Sequence, residues 1–366
     1  MTAVRRSSQT DVPLRPVSGQ EQRGPSMPLD VRAARLRDLL ALHLIDQRIP
    51  LDLPNRQCEE SDPAMVALRQ VLPLARHDEP LLVAHAERRL VGYAHFQIVG
   101  PDRRWILQTV GSAMGIYEAE PIWEELLRYA VVTAGLDGTK RLYTRLPPAA
   151  PITGAARRTG FTPYVSETIW AAALVPVTRA VGHVRRQHQA DVWSIHQLYM
   201  AVVPRQVQYA EALTSHSWDV TTPRLPGGAF CHGWLVEDGH LVAAYARVIS
   251  HHNAHVIEVL VDPEQREVFN DLLSMVFAEL GRMPARRVYV TLRGYQSELT
   301  EILRGFGFVL FQEQDVSIKY TTASAWTPAV SVSPFSVDVK EPSAKRVPTF
   351  LHGSHADPSS DAAGSQ

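Results

Sequence analysis

Residues 141–146 read RLYTRL, and residues 287–292 read RVYVTL. Each run is followed by a short helical stretch and then by Gly-Phe, at Gly160-Phe161 and at Gly307-Phe308. The two runs begin 146 residues apart, and the two Gly-Phe pairs lie 147 residues apart. Because similarity repeated at a fixed distance is typical of a duplicated structural unit, the sequence predicts two copies of one unit.

Strand and helix patterns recur in the same order upstream of these runs. Apolar runs flank the turn Arg88-Arg89 in the first half and Asp238-Gly239 in the second, as the strands of a hairpin do. A third strand and an amphipathic helix follow each hairpin, at 105–110 and 122–134 and at 255–261 and 268–280. Helices also open each half, at 33–45 and 63–72 and at 191–203 and 208–215.

This order predicts an α/β (mixed α+β) protein of two tandem domains, each with a mixed, mostly antiparallel sheet flanked by helices. We place the first domain at 28–176 and the second at 182–321. Residues 1–27 are rich in Arg, Ser, Gln, Pro and Gly and predict a disordered leader. Residues 322–366 carry repeated prolines among Ser, Ala and Val, and predict a disordered tail.

Composition narrows the class of protein. The 366 residues include 37 basic and 38 acidic side chains, so no overall field attracts nucleic acid or an anionic membrane. The apolar runs are strand-sized, and the two cysteines lie far apart in sequence, which favours a cytoplasmic protein without a membrane span. No metal site is predicted, because a polar hairpin loop accounts for His251, His252 and His255. Nothing in the sequence sets the oligomeric state.

Both halves resemble the GNAT superfamily of acetyl-CoA-dependent N-acyltransferases. The resemblance rests on the order of elements, on the two Gly-Phe pairs and on VLVDPEQR at 259–266, which matches the family's Val-x-Pro strand end and basic turn. It implies acetyl-CoA as co-substrate and a small-molecule or peptide amine as acceptor. In the family, two parallel strands part, and the pantetheine arm pairs with the edge of one of them.

The resemblance also implies which residues hold acetyl-CoA. Val259, Leu260 and Val261 would lie along the pantetheine arm, and a turn into a helix N-terminus would hold the pyrophosphate. That turn contains Arg266, Glu267, Val268 and Phe269. The family's two glycines after the arginine are missing here, and the first half has neither the arginine nor Val-x-Pro at 108–115. The second half is therefore the better candidate for acyl-CoA binding.

Two catalytic roles follow from the same resemblance. The family's usual acid is a tyrosine four residues before Gly-Phe, where this chain has Ala156 and Leu303. Tyr295 is the predicted substitute, with an exposed tyrosine at a helix start as the alternative. Glu258 is the predicted base, although strand alternation also allows it to face solvent. The predicted function is N-acetyl transfer to an unidentified amine; the alternative is an inactive tandem protein that serves as a binding or scaffolding module.

Overall fold

A computed structural model describes residues 28–53, 62–71, 78–100, 103–116, 118–220 and 230–321. The predicted leader and tail, at 1–27 and 322–366, lie outside these ranges. All the described residues belong to one compact unit. None of the described helices combines the length and the apolar character that crossing a bilayer requires.

The first half alternates strands with helices in the predicted order. Its elements are β1 (Asp30–Ala33), α1 (Leu39–His43), β2 (Gln47–Pro50), α2 (Pro63–Val71), β3 (Leu81–Ala86), β4 (Arg89–Val99), β5 (Arg104–Ser112), α3 (Glu120–Leu136), β6 (Arg141–Leu146), α4 (Thr153–Arg158) and β7 (Thr162–Ala172). The turn between β3 and β4 has positive φ at Glu87 and Arg88, as a two-residue hairpin turn requires.

The second half repeats this order. Its elements are β8 (Val184–Arg186), α5 (Val192–Val202), α6 (Arg205–Glu211), β9 (Phe230–Asp238), β10 (Leu241–Ser250), β11 (Ala254–Val261), α7 (Val268–Leu280), β12 (Arg287–Arg293), α8 (Thr300–Gly305) and β13 (Val309–Tyr320). Helix α7 has the predicted bounds because its apolar residues recur at helical spacing on one face.

The strands form one continuous sheet of 13 strands across the described residues, in the order β1-β3-β4-β5-β6-β13-β7-β12-β11-β10-β9-β8, with β2 beside β5. Only the β5–β6 and β11–β12 pairs of this described sheet are parallel. The predicted fold class, with two similar halves, is confirmed. The sequence did not predict that the halves share a sheet.

The halves exchange their last strands. Strand β6 pairs with β13 rather than with β7, which follows it in the chain. Strand β7 in turn pairs with β12. Trp170 on β7 accordingly packs in the apolar core of the second half, beneath α7 and α8. The domain boundary that we place between 176 and 182 stays a prediction, but the hydrogen-bonded sheet crosses it.

Glu167 and Gln314 mark the centre of this exchange. They are register partners on β7 and β13, and they are 147 residues apart, the same distance as the two Gly-Phe pairs. The two halves are therefore related by a pseudo-two-fold axis that passes between Glu167 and Gln314. Gln314 Nε2 donates a hydrogen bond of 2.7 Å to Glu167 Oε2.

Two early elements differ from the sequence predictions. The predicted helix at 33–45 is wrong at its start, because Ala33 ends strand β1 and the α-helix begins only at Leu39. Strand β2 was not predicted, and it pairs with β5 from Gln47 to Pro50. The short helical stretch predicted after residues 287–292 begins as a 3-10 helix at Gly294–Leu299, which precedes α8.

Candidate functional site

The two parallel strands of the second half part where the sequence predicts. Pairs between β11 and β12 run from Ala254–Arg287 to Glu258–Thr291, and β11 then continues to Val261 beyond the last of them. We call the gap beside Val259–Val261 the β11–β12 slot. Its edge is closed by a side chain, because Gln296 Nε2 donates a 3.0 Å hydrogen bond to the Val259 carbonyl. Gln296 is buried.

Side chains alternate between the two faces of β11, and this alternation determines which groups of the strand face the slot. Val259 and Val261 pack in the apolar core beneath α7, and Leu260 packs on the other face with residues of α5. Main-chain groups alternate as well, so the peptide groups of Val261 point the same way as the Val259 carbonyl, toward the slot. The slot therefore offers the backbone of Val259 and Val261, whereas Leu260 contributes a side chain on one face of the sheet.

The equivalent gap in the first half is filled. Strands β5 and β6 pair only from Trp105–Leu142 to Leu107–Thr144. Beyond that point β2 pairs with β5 from Thr109 to Ser112. The Leu51 N–H extends this contact with a 2.8 Å hydrogen bond to the Gln108 carbonyl. The chain's own backbone thus satisfies the edge that a pantetheine arm would use.

The turn after β11 leads into a helix N-terminus, as predicted. Asp262 accepts a 3.0 Å hydrogen bond from the Glu264 N–H, and α7 begins at Val268. Arg266 and Glu267 are exposed at this turn, and Val268 is half-buried. Phe269, by contrast, is completely buried in the core beneath α7, so its side chain serves packing.

Glu258 is held by a neighbouring arginine. It faces Arg247 across the β10–β11 pair, and both Nε, at 2.9 Å, and Nη2 of Arg247 donate to Glu258 Oε2. Arg247 also donates to the Ser217 carbonyl and lies 5.6 Å from the ring centre of Trp218. Burial alone would raise the pKa of Glu258, but Arg247 outweighs this effect and holds the pKa at about 2. A carboxylate of such low basicity is a poor proton acceptor near neutral pH.

Tyr295 lies on the same face of the sheet, half-buried against the apolar cluster that contains Leu260 and Tyr199. Burial raises the pKa of Tyr295 to about 12, and the positive charge of Arg293 offsets only part of this effect. The phenol is therefore protonated at neutral pH. That state is the one a proton donor requires.

A buried carboxylate beside Tyr295 was missed by the sequence analysis. Glu211, at the end of α6, accepts hydrogen bonds from Tyr199 at 3.1 Å, Tyr164 at 3.4 Å and Arg293 at 2.8 Å. We call these four residues the Glu211 cluster. Tyr164 comes from the first half, so no local motif indicates the cluster.

The cluster continues into the exchanged strands. Arg293 Nη1 lies 3.0 Å from Glu167 Oε1, and Arg145 Nε donates to Glu167 Oε2 at 3.0 Å. Arg145 also donates to Asp52, at 2.6 Å. Burial opposes the negative charge of Glu167, but the two arginines lower its pKa below the usual range. Charged side chains from both halves thus meet at the centre of the sheet.

Two of the three histidines near the β10–β11 turn are more buried than a polar loop predicts, whereas His252 is exposed. His251 and His255 are both buried, and the Nδ1 of His255 lies 2.9 Å from the Ser250 hydroxyl. Burial lowers the pKa of His255 to about 4, and the charge of Arg286 acts in the same direction. Across the described ranges, no group of three or more His, Cys, Asp or Glu side chains is placed to share a metal ion.

Comparison with known proteins identifies the fold. No protein-family model and no curated protein matches the sequence. A GCN5-related N-acetyltransferase from Sphaerobacter thermophilus is similar in structure, with a TM-score of 0.51 and 12% identity over 82% of this chain and 97% of that one. A tandem GNAT protein from the clavulanic acid biosynthesis pathway has a TM-score of 0.47 and 13% identity, over 81% of this chain and 100% of that one. The first of these likenesses shows that the chain has the fold of a GCN5-related N-acetyltransferase, GNAT.

Proposed function

We propose that the chain is an N-acetyltransferase that uses acetyl-CoA as co-substrate and a small-molecule or peptide amine as acceptor. The supporting observation is the difference between the two gaps. The first is filled by strand β2, whereas the second is closed at Val259 by one side-chain amide. We therefore assign acyl-CoA binding to the β11–β12 slot of the second half.

The group that closes the slot fits this assignment. The Gln296 side chain ends in a carboxamide, the same type of donor as the amides of a pantetheine arm. A pantetheine amide that displaced Gln296 would keep the Val259 carbonyl satisfied, and the backbone of Val261 would extend the pairing. Arg266 and the N-terminus of α7 favour the pyrophosphate, whereas Glu267 opposes it.

The residues at the slot suggest how transfer proceeds. Acetyl-CoA, when bound, supplies an activated thioester carbonyl that an amine can attack. The amine nitrogen forms a bond to this carbonyl carbon as the carbon–sulfur bond breaks. The Tyr295 hydroxyl, protonated at neutral pH, donates its proton to the departing sulfur, and the resulting tyrosinate takes up the proton that the cationic nitrogen releases. Glu258 is the predicted base, but its pKa of about 2 makes it a poor proton acceptor. Both Arg247 donors contact Oε2, so Oε1 can accept a hydrogen bond from the acceptor amine and position it for attack.

Titration of the full chain with acetyl-CoA tests the slot. Gln296→Ala removes the competing amide, and we expect it to tighten acetyl-CoA binding about tenfold, the equivalent of one net hydrogen bond. Gln208→Ala is the matched control, because Gln208 also donates its side-chain amide to a backbone carbonyl, that of Val203 on the α5–α6 segment. Absence of binding to wild type and to Gln296→Ala at millimolar acetyl-CoA would refute the assignment.

A specific observation favours the second candidate, an inactive binding or scaffolding module. Gln296 already satisfies Val259, and the turn after Arg266 lacks the two glycines that allow close approach of a phosphate. Release of free CoA in the presence of a broad panel of amines separates the two functions. Acetyl-CoA binding without any amine-dependent thiol release would select the inactive module.

A further inference from the structure

A basic cleft lies at the opposite end of the first half's parallel pair. Arg104 is the first residue of β5 and follows Arg103, and Arg141 is the first residue of β6 and follows Lys140. Because β5 and β6 are parallel, these starts are adjacent. The four side chains line a cleft of about 400 Å³, which is completed by Gly138, Glu211 and Ala212. We call it the Arg104–Arg141 cleft.

The four cations of the cleft have no carboxylate in ion-pair contact among the residues that the structure describes. Arg145 and Arg293, elsewhere on the sheet, each contact two carboxylates. The Nε of Arg141 is buried without a hydrogen-bond partner in the described part of the chain, and its guanidinium lies 5.7 Å from the ring centre of Tyr320. A buried donor that lacks an acceptor indicates that an acceptor from outside belongs there.

Glu211 does not neutralise the cleft. Its carboxylate is already engaged by Arg293, Tyr164 and Tyr199. Within the described part of the cleft, four cations therefore face one partnered anion, in a chain whose formal net charge is only -1. Such local concentration of one sign in a concave site attracts ligands of the opposite sign.

The cleft is separate from the β11–β12 slot. Between β6 and β11 the sheet order places β13, β7 and β12, so the two strands are four spacings apart, which amounts to about 19 Å. An anion in the cleft is therefore not the pyrophosphate of a thioester bound along Val259–Val261. The volume lies within the range of small-molecule sites.

We propose that the Arg104–Arg141 cleft binds a small molecule that carries a diphosphate group. Guanidinium groups match phosphate oxygens with paired, charge-assisted hydrogen bonds, and two arginines with a flanking lysine and arginine suit two adjacent phosphates. A single carboxylate would leave most of these donors unused. The ligand is held by charge, so its affinity falls as salt increases.

Isothermal titration of the full chain with inorganic pyrophosphate and with ADP tests the proposal. We expect wild type to bind both, and Arg104→Gln/Arg141→Gln to lose at least thirtyfold in affinity. Arg37→Gln/Arg179→Gln removes the same charge from exposed positions outside the cleft and should change affinity less than twofold. Tighter binding of ADP than of pyrophosphate would identify the ligand as a nucleotide, and equal binding would identify a site for the phosphates alone.

A second double variant distinguishes loss of the anion site from misfolding. Arg103 and Lys140 are exposed, so Arg103→Gln/Lys140→Gln should keep the fold and still lose about tenfold in affinity. Acetyl-pantetheine has the arm and thioester of acetyl-CoA but no diphosphate, so its binding to Gln296→Ala should be unaffected by either cleft variant, which separates this site from the slot. Absence of binding to pyrophosphate and ADP at millimolar concentration, or an equal loss in the Arg37/Arg179 control, would overturn the proposal.

Discussion

Replacement of Glu167 by glutamine tests whether the ion cluster holds the two halves together. The Glu167 side chain is 1% exposed and lies between Arg145 of β6 and Arg293 of β12. Gln314 of β13 donates to the same carboxylate. Glu167→Gln keeps the shape of the side chain but removes its charge. It also places an N–H₂ group among the donors of two arginines and a glutamine.

The contacts of Glu167 determine how much Glu167→Gln should lower the free energy of unfolding. Two unit charges about 4 Å apart interact by about 4 kcal/mol at an effective dielectric constant near 20. Removing one partner of a buried pair lowers stability by about 3–5 kcal/mol. Arg145 keeps Asp52 at 2.6 Å and Arg293 keeps Glu211 at 2.8 Å, so neither arginine is left without a counter-charge. We therefore expect the lower end, a loss of about 3 kcal/mol in the free energy of unfolding.

Urea unfolding followed by far-UV circular dichroism measures this loss. Glu301→Gln is the control, because Glu301 pairs with Arg304 on α8 and its side chain is 77% exposed. The control should lose less than about 0.5 kcal/mol. A loss below about 1 kcal/mol for Glu167→Gln would show that the central ion cluster is structurally neutral.

Three further predictions follow from the same contacts. Because the arginines lower the pKa of Glu167 despite its burial, its contribution is present above its unfolded pKa of about 4.3 and is lost as pH falls through the lower folded value. In urea unfolding, the stability gap between wild type and Glu167→Gln should therefore shrink as pH falls below about 4.3, and a gap independent of pH contradicts this. Tyr295→Phe should lower amine-dependent CoA release about a hundredfold and leave acetyl-CoA affinity unchanged in titration; equal loss of both would assign Tyr295 to binding instead. Cleavage at a protease site inserted between the exposed residues Arg179 and Ala180 should leave the two fragments together on size-exclusion chromatography, because β7 and β13 are exchanged; two separate folded peaks would refute this.

Local patterns were sufficient to predict most strands and helices. Helix α7 was predicted with its observed bounds, because Leu272, Leu273 and Val276 follow helical spacing and no competing turn residue interrupts them. Strand β2 reads Gln-Arg-Ile-Pro, which has no apolar alternation. It is a strand because the gap beside β5 accepts it, and that is a tertiary cause. The exchange of β7 and β13 has the same origin, since either strand fits either position by its own pattern.

Some parts of the candidate site could likewise be predicted from the sequence, and other parts could not. The slot at Val259–Val261 was predicted from VLVDPEQR, and β12 parts from β11 at that point. The partner of Glu258 could also have been predicted from the sequence, because Arg247 faces Glu258 in a hairpin whose turn lies at residues 251–253. The roles of Gln296 and Glu211 could not be predicted, because each residue contacts its partners through packing between distant segments.

The two gaps differ in how firmly each is closed, and the proposed assignment of acyl-CoA binding to the second half depends on this difference. In the first half, a ligand would have to displace a paired strand, Gln47–Pro50, together with the bond from Leu51. Several backbone hydrogen bonds would break at once, and β2 would lose its place in the sheet. In the second half, a single side chain closes the slot: Gln296 accepts a hydrogen bond from the Arg293 N–H and donates one of about 1 kcal/mol to the Val259 carbonyl. An arm with amides of its own replaces that bond as it enters, so binding to the second half requires no change in the sheet.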